Sequence, residues 1–422
     1  MRPVRPVYLA AAAVTPFLGK GNPDFITKSH PDYGKRENPT LEDHMARAVR
    51  ELLDSSGADP AVIQRGYVGN FGGELFCSQG HLGAMVSRVD PRLSGMGCTR
   101  LEAACASGGT ALVAGVEAIQ AGLDVVLVLG AEVQTTVRAR EGGDYLARAS
   151  HYATERAIDD FTFPAILARR AKAYKETYGL TERDLAHVSV KAYANANRNP
   201  LAHMHAVTMT LEKAAADGDD NPHFLSNPEL KPHMKVSDCS QVSDGAAAVL
   251  LASEVGLAQL GRTLSDSIAL CSYGFRTNPL GHVENLLRLD TVAAAAGEAL
   301  GDAGIGARDV QVAEVHDCFT IAEVLMYEAI GWAEAGKGVE LVLSGTTTLD
   351  GPLPVNTGGG LIGFGHPVGA TGVKQAAEIY RQMKGLCGNY QLANRPGWGL
   401  TVNMGGDDRT VVAAAYRNLE GS

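Results

Sequence analysis

The sequence predicts an α/β fold built from two similar halves with a long insertion between them. Three observations predict it. Strand-like apolar runs at 124–129, 247–251, 312–315 and 409–413 are short and continuous rather than alternating, the pattern of strands buried on both faces. Alanine-rich stretches of helical period, such as 41–53 and 291–300, lie between them, as in a sheet covered by helices. The third observation is an internal repeat. Leu53-Asp54-Ser55-Ser56-Gly57 resembles Leu300-Gly301-Asp302-Ala303-Gly304, and in that register Ile63 meets Val310 and Val68 meets Val315. Both copies read as a helix end, a glycine stop, a short turn and a buried strand.

The first element is the apolar run 7–14, which Pro16 ends. It lacks the length and flanks of a secretory leader and reads as a core strand. A helix is expected at 110–121, opening on Gly108-Gly109-Thr110. That tripeptide matches Gly369-Ala370-Thr371, and Glu117 then matches Glu378, which sets Cys105 opposite His366. The stretch from about 132 to 236 has no counterpart in the second half and is rich in His, Asn, Arg and Tyr. Helices are expected there at 163–178 and 181–195, followed by a loop punctuated by Pro200, Pro222, Pro228 and Pro232. Long inserted loops often carry substrate contacts. The expected division is 1–131 with 237–265 as the first half, 132–236 as an inserted loop domain, and 266–422 as the second half.

Composition narrows the function. The 422 residues are 45% apolar and 20% charged, ordinary for a globular protein with a large core. A net charge of −10 argues against a nucleic-acid or anionic-membrane binder, since either wants a basic face. No apolar stretch approaches the ~20 residues of a membrane helix. The seven cysteines are scattered, with no CxxC pair, so a disulfide framework or cysteine-rich zinc site is not expected and a reducing cytoplasm fits best.

Four segments could carry chemistry. Cys105, in Glu102-Ala103-Ala104-Cys105-Ala106-Ser107-Gly108-Gly109, precedes a long helix, where the positive end of the helix dipole lowers a thiol pKa. A lone cysteine reads as a buried structural thiol; the small residues around this one open it to a ligand. The glycine-rich run Gly358-Gly359-Gly360-Leu361-Ile362-Gly363-Phe364-Gly365-His366 ends on a histidine that opens the next helix and could take a proton from that thiol. No P-loop Lys-Ser/Thr follows it, so a phosphate cradle is disfavoured. In Glu314-Val315-His316-Asp317-Cys318-Phe319, between a strand and a helix, His316 could donate to a developing oxyanion and Cys318 could act as a second acid/base. A zinc site on His316, Cys318 and His366 is the competing reading, but the spacing matches no zinc pattern and no metal is expected. Asn403-Met404-Gly405-Gly406 is a strand running into a glycine turn, whose backbone N–H groups could form an oxyanion hole. His203, His205, His223 and His233 of the insertion read as surface or loop residues. Arg169, Arg170 and Lys172 are the basic candidates there.

Together these motifs resemble the thiolase superfamily over nearly the whole chain. The resemblance rests on the Cys105 motif, on Gly365-His366-Pro367-Val368-Gly369-Ala370-Thr371-Gly372 and on Ser243-Asp244-Gly245-Ala246-Ala247. His316-Asp317-Cys318-Phe319 narrows it to sterol-carrier-protein-type thiolases and their bacterial and archaeal acetyl-CoA acetyltransferase relatives. The resemblance implies a five-layer αβαβα fold and an insertion that holds coenzyme A. It also implies a homodimer or homotetramer. It implies acylation of Cys105, activation by His366, and His316 in one oxyanion hole. By the same resemblance the backbone N–H groups of Cys105 and Gly405 would form the other, and Ser240 resembles the residue that touches the pantetheine of coenzyme A. Many thiolases carry a second catalytic cysteine where this chain has Asn403; in the sterol-carrier-protein type the cysteine matching Cys318 takes over. The implied activity is Claisen condensation of acyl-CoAs, or thiolytic cleavage of 3-ketoacyl-CoA, in lipid or fatty acid metabolism. It needs no cofactor beyond the coenzyme A thioester. The rivals are a retro-aldolase or acyl-transfer subunit working with a small zinc-ribbon/OB-fold partner, and a decarboxylating ketosynthase-like enzyme. Cys318 argues against the latter, because decarboxylation needs no base to deprotonate the donor.

Overall fold

The computed structural model describes residues 1–420. Among them, nine strands form one connected sheet: β1 (Tyr8–Val14), β2 (Arg65–Gly69), β3 (Gly97–Leu101), β4 (Val125–Glu132), β5 (Gly245–Ala252), β6 (Ile268–Thr277), β7 (Val312–Glu314), β8 (Trp398–Gly405) and β9 (Thr410–Asn418). The spatial order is β3-β2-β4-β5-β1-β6-β9-β8-β7. The helices used below are α1 (Leu41–Ser56), α2 (Ser107–Gln120), α3 (Thr162–Tyr178), α4 (Glu182–Ala196), α5 (Asp290–Ala303), α6 (Thr320–Ile330) and α7 (Thr371–Lys384).

The internal repeat is visible in the pairing. β2 runs parallel to β4, β4 antiparallel to β5, and β5 antiparallel to β1. In the second half β7 runs parallel to β8, β8 antiparallel to β9, and β9 antiparallel to β6. The two half-sheets are joined where β1 pairs β6, through Tyr8↔Ala269 and Leu9↔Ile268. The sequence pattern did not mark β3 or β6. β3 is an edge strand that is half exposed and carries Gly97, Cys98 and Arg100. β6 is broken by an irregularity between Leu270 and Ser272, which interrupts any regular pattern.

The continuous apolar runs follow from burial on both faces. In β5, Ala247, Val249 and Leu251 join one core while Ala246, Ala248, Leu250 and Ala252 join another, because successive side chains point to opposite faces. α1 covers the outer face of the first half-sheet and α5 that of the second, while α2 and α7 pack together between them. The result is five layers. At the centre the two repeat-matched segments touch: a Cβ on Gly108 would lie 2.8 Å from the Gly369 carbonyl oxygen and 2.9 Å from the Gly372 nitrogen. Only glycine permits that approach, and it brings the starts of α2 and α7 side by side.

α1 shows how local signals set the boundaries. Thr40 and Asp43 form a capping box at its start, and Gly57 ends it in the left-handed region at φ 66°, as Gly304 ends α5 at φ 73°. Inside α1, His44 is buried with neither ring nitrogen hydrogen-bonded among the described residues. Burial pushes its pKa down from 6.5 to about 4. The unfolded chain therefore binds a proton through this window that the folded chain refuses. The associated stability is full above about pH 6.5 and is lost as pH falls toward 4. Between pH 7.5 and 5 this single group removes about 2 kcal/mol. His44→Leu is expected to flatten that part of the acid limb, read as urea midpoints at the two pH values. Equal losses in wild type and variant would show that His44 does not carry it.

Candidate active site

The site lies where α2, α7 and the β7–α6 turn converge. Between β3 and α2 the chain turns sharply at Ala104, which adopts a left-handed φ of 51°, a conformation that a non-glycine residue holds only under constraint. The Ser107 hydroxyl supplies it, donating to the Ala104 carbonyl at 2.6 Å and accepting from the Ala103 N–H at 2.9 Å. The turn puts Cys105 just before α2, 9% exposed, on the wall of a cavity of about 580 Å³.

His316 leaves the end of β7, and His366 follows the glycine-rich loop ahead of α7. The Cys105 sulfur and one ring nitrogen of each histidine lie within 4.8 Å of one another. The two rings meet edge to face with centroids 5.1 Å apart. Cys318, which the zinc reading would use, is not part of this three-atom cluster; it lines the same cavity.

The supporting hydrogen bonds fix the chemistry of each ring. The Thr371 hydroxyl donates to the Pro367 carbonyl at 3.0 Å, so it accepts from His366 Nδ1–H at 2.7 Å, leaving Nε2 unprotonated as a base. The backbone N–H of His366 donates to Ser243 Oγ at 3.2 Å. Asp317 takes no part in the cavity: its carboxylate accepts the Leu361 N–H at 2.7 Å and clips the glycine loop to the His316 turn. Glu132, at the end of β4, accepts the N–H groups of Phe71, Gly72 and Gly369, and burial raises its pKa to about 7.

Electrostatics here departs from the sequence expectation. Complete burial pushes the Cys105 thiol up to about 12, although the backbone N–H groups of Gly406 and of Cys105 itself act against that rise. The helix start does not lower it as expected, because desolvation outweighs those donors and the charges acting on the sulfur, from Glu132 and Glu102, raise it further. Burial, followed by the nearby Lys374 ammonium, pushes His366 down to about 3. Burial followed by His366 pushes His316 well below the ordinary imidazole value. Burial, then the neighbouring Cys105, raises the Cys318 thiol. The resting site is therefore uncharged: two thiols and two neutral imidazoles.

Several residues sit where sequence reading did not place them. Gly406 presents its N–H to the Cys105 sulfur and lines the cavity. Gly405 lies beneath, where a Cβ would stand 2.3 Å from the Ala103 carbonyl oxygen. His203 is fully buried rather than a surface residue, with Nδ1 2.9 Å from Ser243 Oγ and Nε2 3.1 Å from the Lys20 carbonyl. It holds the serine on which the His366 backbone rests. Arg170 is also buried, pairs with Asp407 at 2.5 Å and donates to the Leu286 and Arg288 carbonyls. Arg169 pairs with Glu155, and Arg169, Arg170 and Lys172 all lie off the cavity wall.

The cavity itself was not legible. Phe25, Phe76, Phe161, Phe163, Phe224 and Phe319 line it, six of the chain's ten phenylalanines, gathered from both halves and the insertion. Ser240 lies on its wall, held by its N–H to the Cys318 carbonyl at 2.9 Å. The exposed cations Lys20 and Arg138 stand at its edge. No helix among the described residues is long and apolar enough to cross a membrane.

Comparison with known proteins agrees with this geometry. A family model described as the thiolase N-terminal domain matches residues 27–255, and one described as thiolase C-terminal domain-like matches 274–415. An acetyl-CoA acetyltransferase of Methanothermobacter thermautotrophicus is 34% identical over 93% of this chain and 98% of its own. The benzoylsuccinyl-CoA thiolase subunit BbsB of Thauera aromatica is 29% identical over 97% of each chain. Sterol carrier protein 2 of Gallus gallus is 26% identical over 92% of this chain and 68% of its own. Among solved structures, the Ltp2-ChsH2(DUF35) aldolase superposes with a TM-score of 0.77 at 17% identity, covering 99% of this chain and 100% of that one; at that identity the likeness concerns the fold.

Proposed function

This chain belongs to the thiolase family and is an acyltransferase of that family, and on that premise we propose that it cleaves or forms 3-ketoacyl-CoA through an acyl-Cys105 intermediate. One observation carries the reading: a buried thiol within reach of two buried imidazoles, at the wall of an apolar cavity that a second thiol shares.

In the cleavage direction, Cys105 gives its proton to His366 Nε2 as the sulfur attacks the ketone carbon. The N–H groups of Cys105 and Gly406 hold the alkoxide that forms. As the carbon–carbon bond breaks, His316 Nε2–H holds the oxygen of the departing thioester enolate, and the Cys318 thiol protonates its carbon. Acetyl-CoA leaves. The Cys318 thiolate then takes the proton of an incoming coenzyme A thiol, which attacks the acyl group. Cys105 departs and recovers its proton from His366. Condensation is the reverse. The resting protonation state, with both thiols protonated, is the one that cleavage requires.

Ser240, on the cavity wall beside Cys318, is assigned to the pantetheine arm, and Lys20 with Arg138 at the edge to the coenzyme A phosphates. No cofactor beyond the coenzyme A thioester is proposed. We retain 1–131 with 237–265, 132–236 and 266–422 as the three units, and a homodimer or homotetramer in the cytoplasm as the working form, acting in lipid or fatty acid metabolism. The seven free thiols fit a reducing compartment. A small zinc-ribbon/OB-fold partner is the remaining assembly to look for.

Steady-state kinetics tests the reading. Varying a 3-ketoacyl-CoA against coenzyme A should give parallel double-reciprocal lines, the pattern of a two-stage covalent mechanism. Intersecting lines would overturn it. Running the series from acetoacetyl-CoA to aryl and long-chain substrates reads the acyl preference of the phenylalanine-lined cavity.

A further inference from the structure

Asn403 sits at the end of β8, buried, between the nucleophile and the enolate-binding histidine. Its carboxamide makes three hydrogen bonds. Oδ1 accepts the Gly109 N–H at 3.0 Å. Nδ2 lies 2.9 Å from the Cys105 carbonyl oxygen and 3.3 Å from His316 Nδ1. The orientation of the amide is settled by its partners, because the Gly109 N–H can only donate and the Cys105 carbonyl can only accept. The two Nδ2 hydrogens are thus committed, one to the Cys105 carbonyl and one to His316 Nδ1.

We propose that Asn403 is a positioning residue that fixes His316 as the Nε2–H tautomer, and so sets it up to donate to the thioester oxygen. With Nδ1 accepting from the amide, the single proton of a neutral imidazole must sit on Nε2. The other tautomer would aim an N–H at another N–H in a buried site, which leaves a donor unsatisfied. Thr371 does the opposite for His366, whose Nδ1–H it accepts. Two histidines in edge-to-face contact thereby receive complementary duties, one donor and one base, from one neighbour each. The same amide also anchors the carbonyl of Cys105, so nucleophile and oxyanion donor are referenced to one rigid group on β8. The functional meaning of the tautomer rests on the thiolase reading above; the tautomer itself does not.

The test is Asn403→Asp, which keeps the size and the acceptor for Gly109 but cannot donate to His316. Histidine-selective ¹⁵N long-range correlation spectra, with the His316 signals assigned by their loss in His316→Asn, read the protonated nitrogen directly. Wild type should show His316 protonated on Nε2 alone. In Asn403→Asp the proton should move to Nδ1, or both nitrogens should become protonated, because a carboxylate now faces Nδ1. kcat for cleavage should fall roughly 10²–10³-fold, the effect of losing one oxyanion donor, with KM changed less than about threefold. A wild-type spectrum with the proton on Nδ1 overturns the proposal, even if the variant fails to fold. So does a variant whose His316 tautomer and kcat match wild type. Should no thioester acylate Cys105 while the tautomer shift is seen, the thiolase mechanism fails and the positioning role stands.

Discussion

Cys105→Ala is expected to abolish acyl-enzyme formation and to lower kcat/KM by at least about 10⁴-fold, the scale on which a covalent nucleophile is missed. Intact-protein mass after incubation with acetyl-CoA, and separately with acetoacetyl-CoA, reads it: wild type should gain an acetyl-sized mass and the variant none. The buried, protonated thiol makes a second reading of the same experiment. Cys105 titrates near 12 and His366 near 3, so neither changes charge over the working range. Single-turnover acylation should then show no thiol or imidazole ionisation between about pH 6 and 9. A steep rise near neutrality, of the kind a preformed thiolate–imidazolium pair gives, would contradict the neutral resting site. Labelling of Cys105→Ala would remove Cys105 as the nucleophile.

The physical reason for a neutral resting pair is the site's closure. Gly369 Cβ-space is filled by the Gly69 and Ala131 carbonyls, and α2 and α7 start back to back, so a charge at the sulfur could be solvated only from the cavity side. The N–H groups of Cys105 and Gly406 compensate only partly. They are better placed for charge that appears during the reaction than for charge held at rest, which is how preorganised donors lower a barrier.

What the sequence made legible follows from what is local. The continuous runs of β4, β5 and β9 declare strands buried on both faces, and Gly57 and Gly304 declare helix ends, because those signals depend on neighbours in sequence. The repeat carried further than expected, since Gly108 and Gly369, matched by pattern alone, are in contact in space. Cys105, His316, Cys318 and His366 could be named because each stands in a motif at a strand or helix boundary. The rest depends on long-range geometry. The contact of Asn403 with His316 joins residues 87 apart in sequence, and the pattern at 403 registered only an absent cysteine. That the Gly406 N–H reaches the Cys105 sulfur depends on the fold of the turn, which adjacent glycines do not declare in sequence. His203 stands in a long loop of the sequence, yet the fold buries it and pairs it with Ser243 and the Lys20 carbonyl. The rise of the Cys105 thiol was hidden for the same reason: the helix dipole is a local feature, whereas desolvation is a property of everything packed around the sulfur.

Cys318→Ala should separate the two halves of the reaction. Acylation by acetyl-CoA draws on Cys318 only to pass a proton to or from the coenzyme A thiol, and His366, which holds the Cys105 proton at that moment, can pass it instead, so exchange of labelled coenzyme A into acetyl-CoA should fall far less than the carbon–carbon chemistry does. Proton transfer at the α-carbon should fall by roughly 10²–10⁴-fold, the usual contribution of a general acid/base, and cleavage and condensation should fall with it. Uptake of deuterium into the acetyl methyl of acetyl-CoA in heavy water isolates that step. The other candidates at the cavity wall are otherwise engaged. Cys239 shares the cavity, but its sulfur lies 3.4 Å from both the Lys235 carbonyl oxygen and Met234 Sδ, the contacts of a packed structural thiol. Asp317 is committed to the glycine loop, and His366 is the base for Cys105. If Cys318→Ala still exchanges deuterium at the wild-type rate, His316, the other titratable group clustered with Cys105 and His366, must move the proton itself. The tautomer held by Asn403 would then serve proton transfer rather than oxyanion binding. Loss of both exchanges together would instead mean that removing the thiol had disturbed Cys105, a distinction that intact mass after acetyl-CoA incubation makes directly.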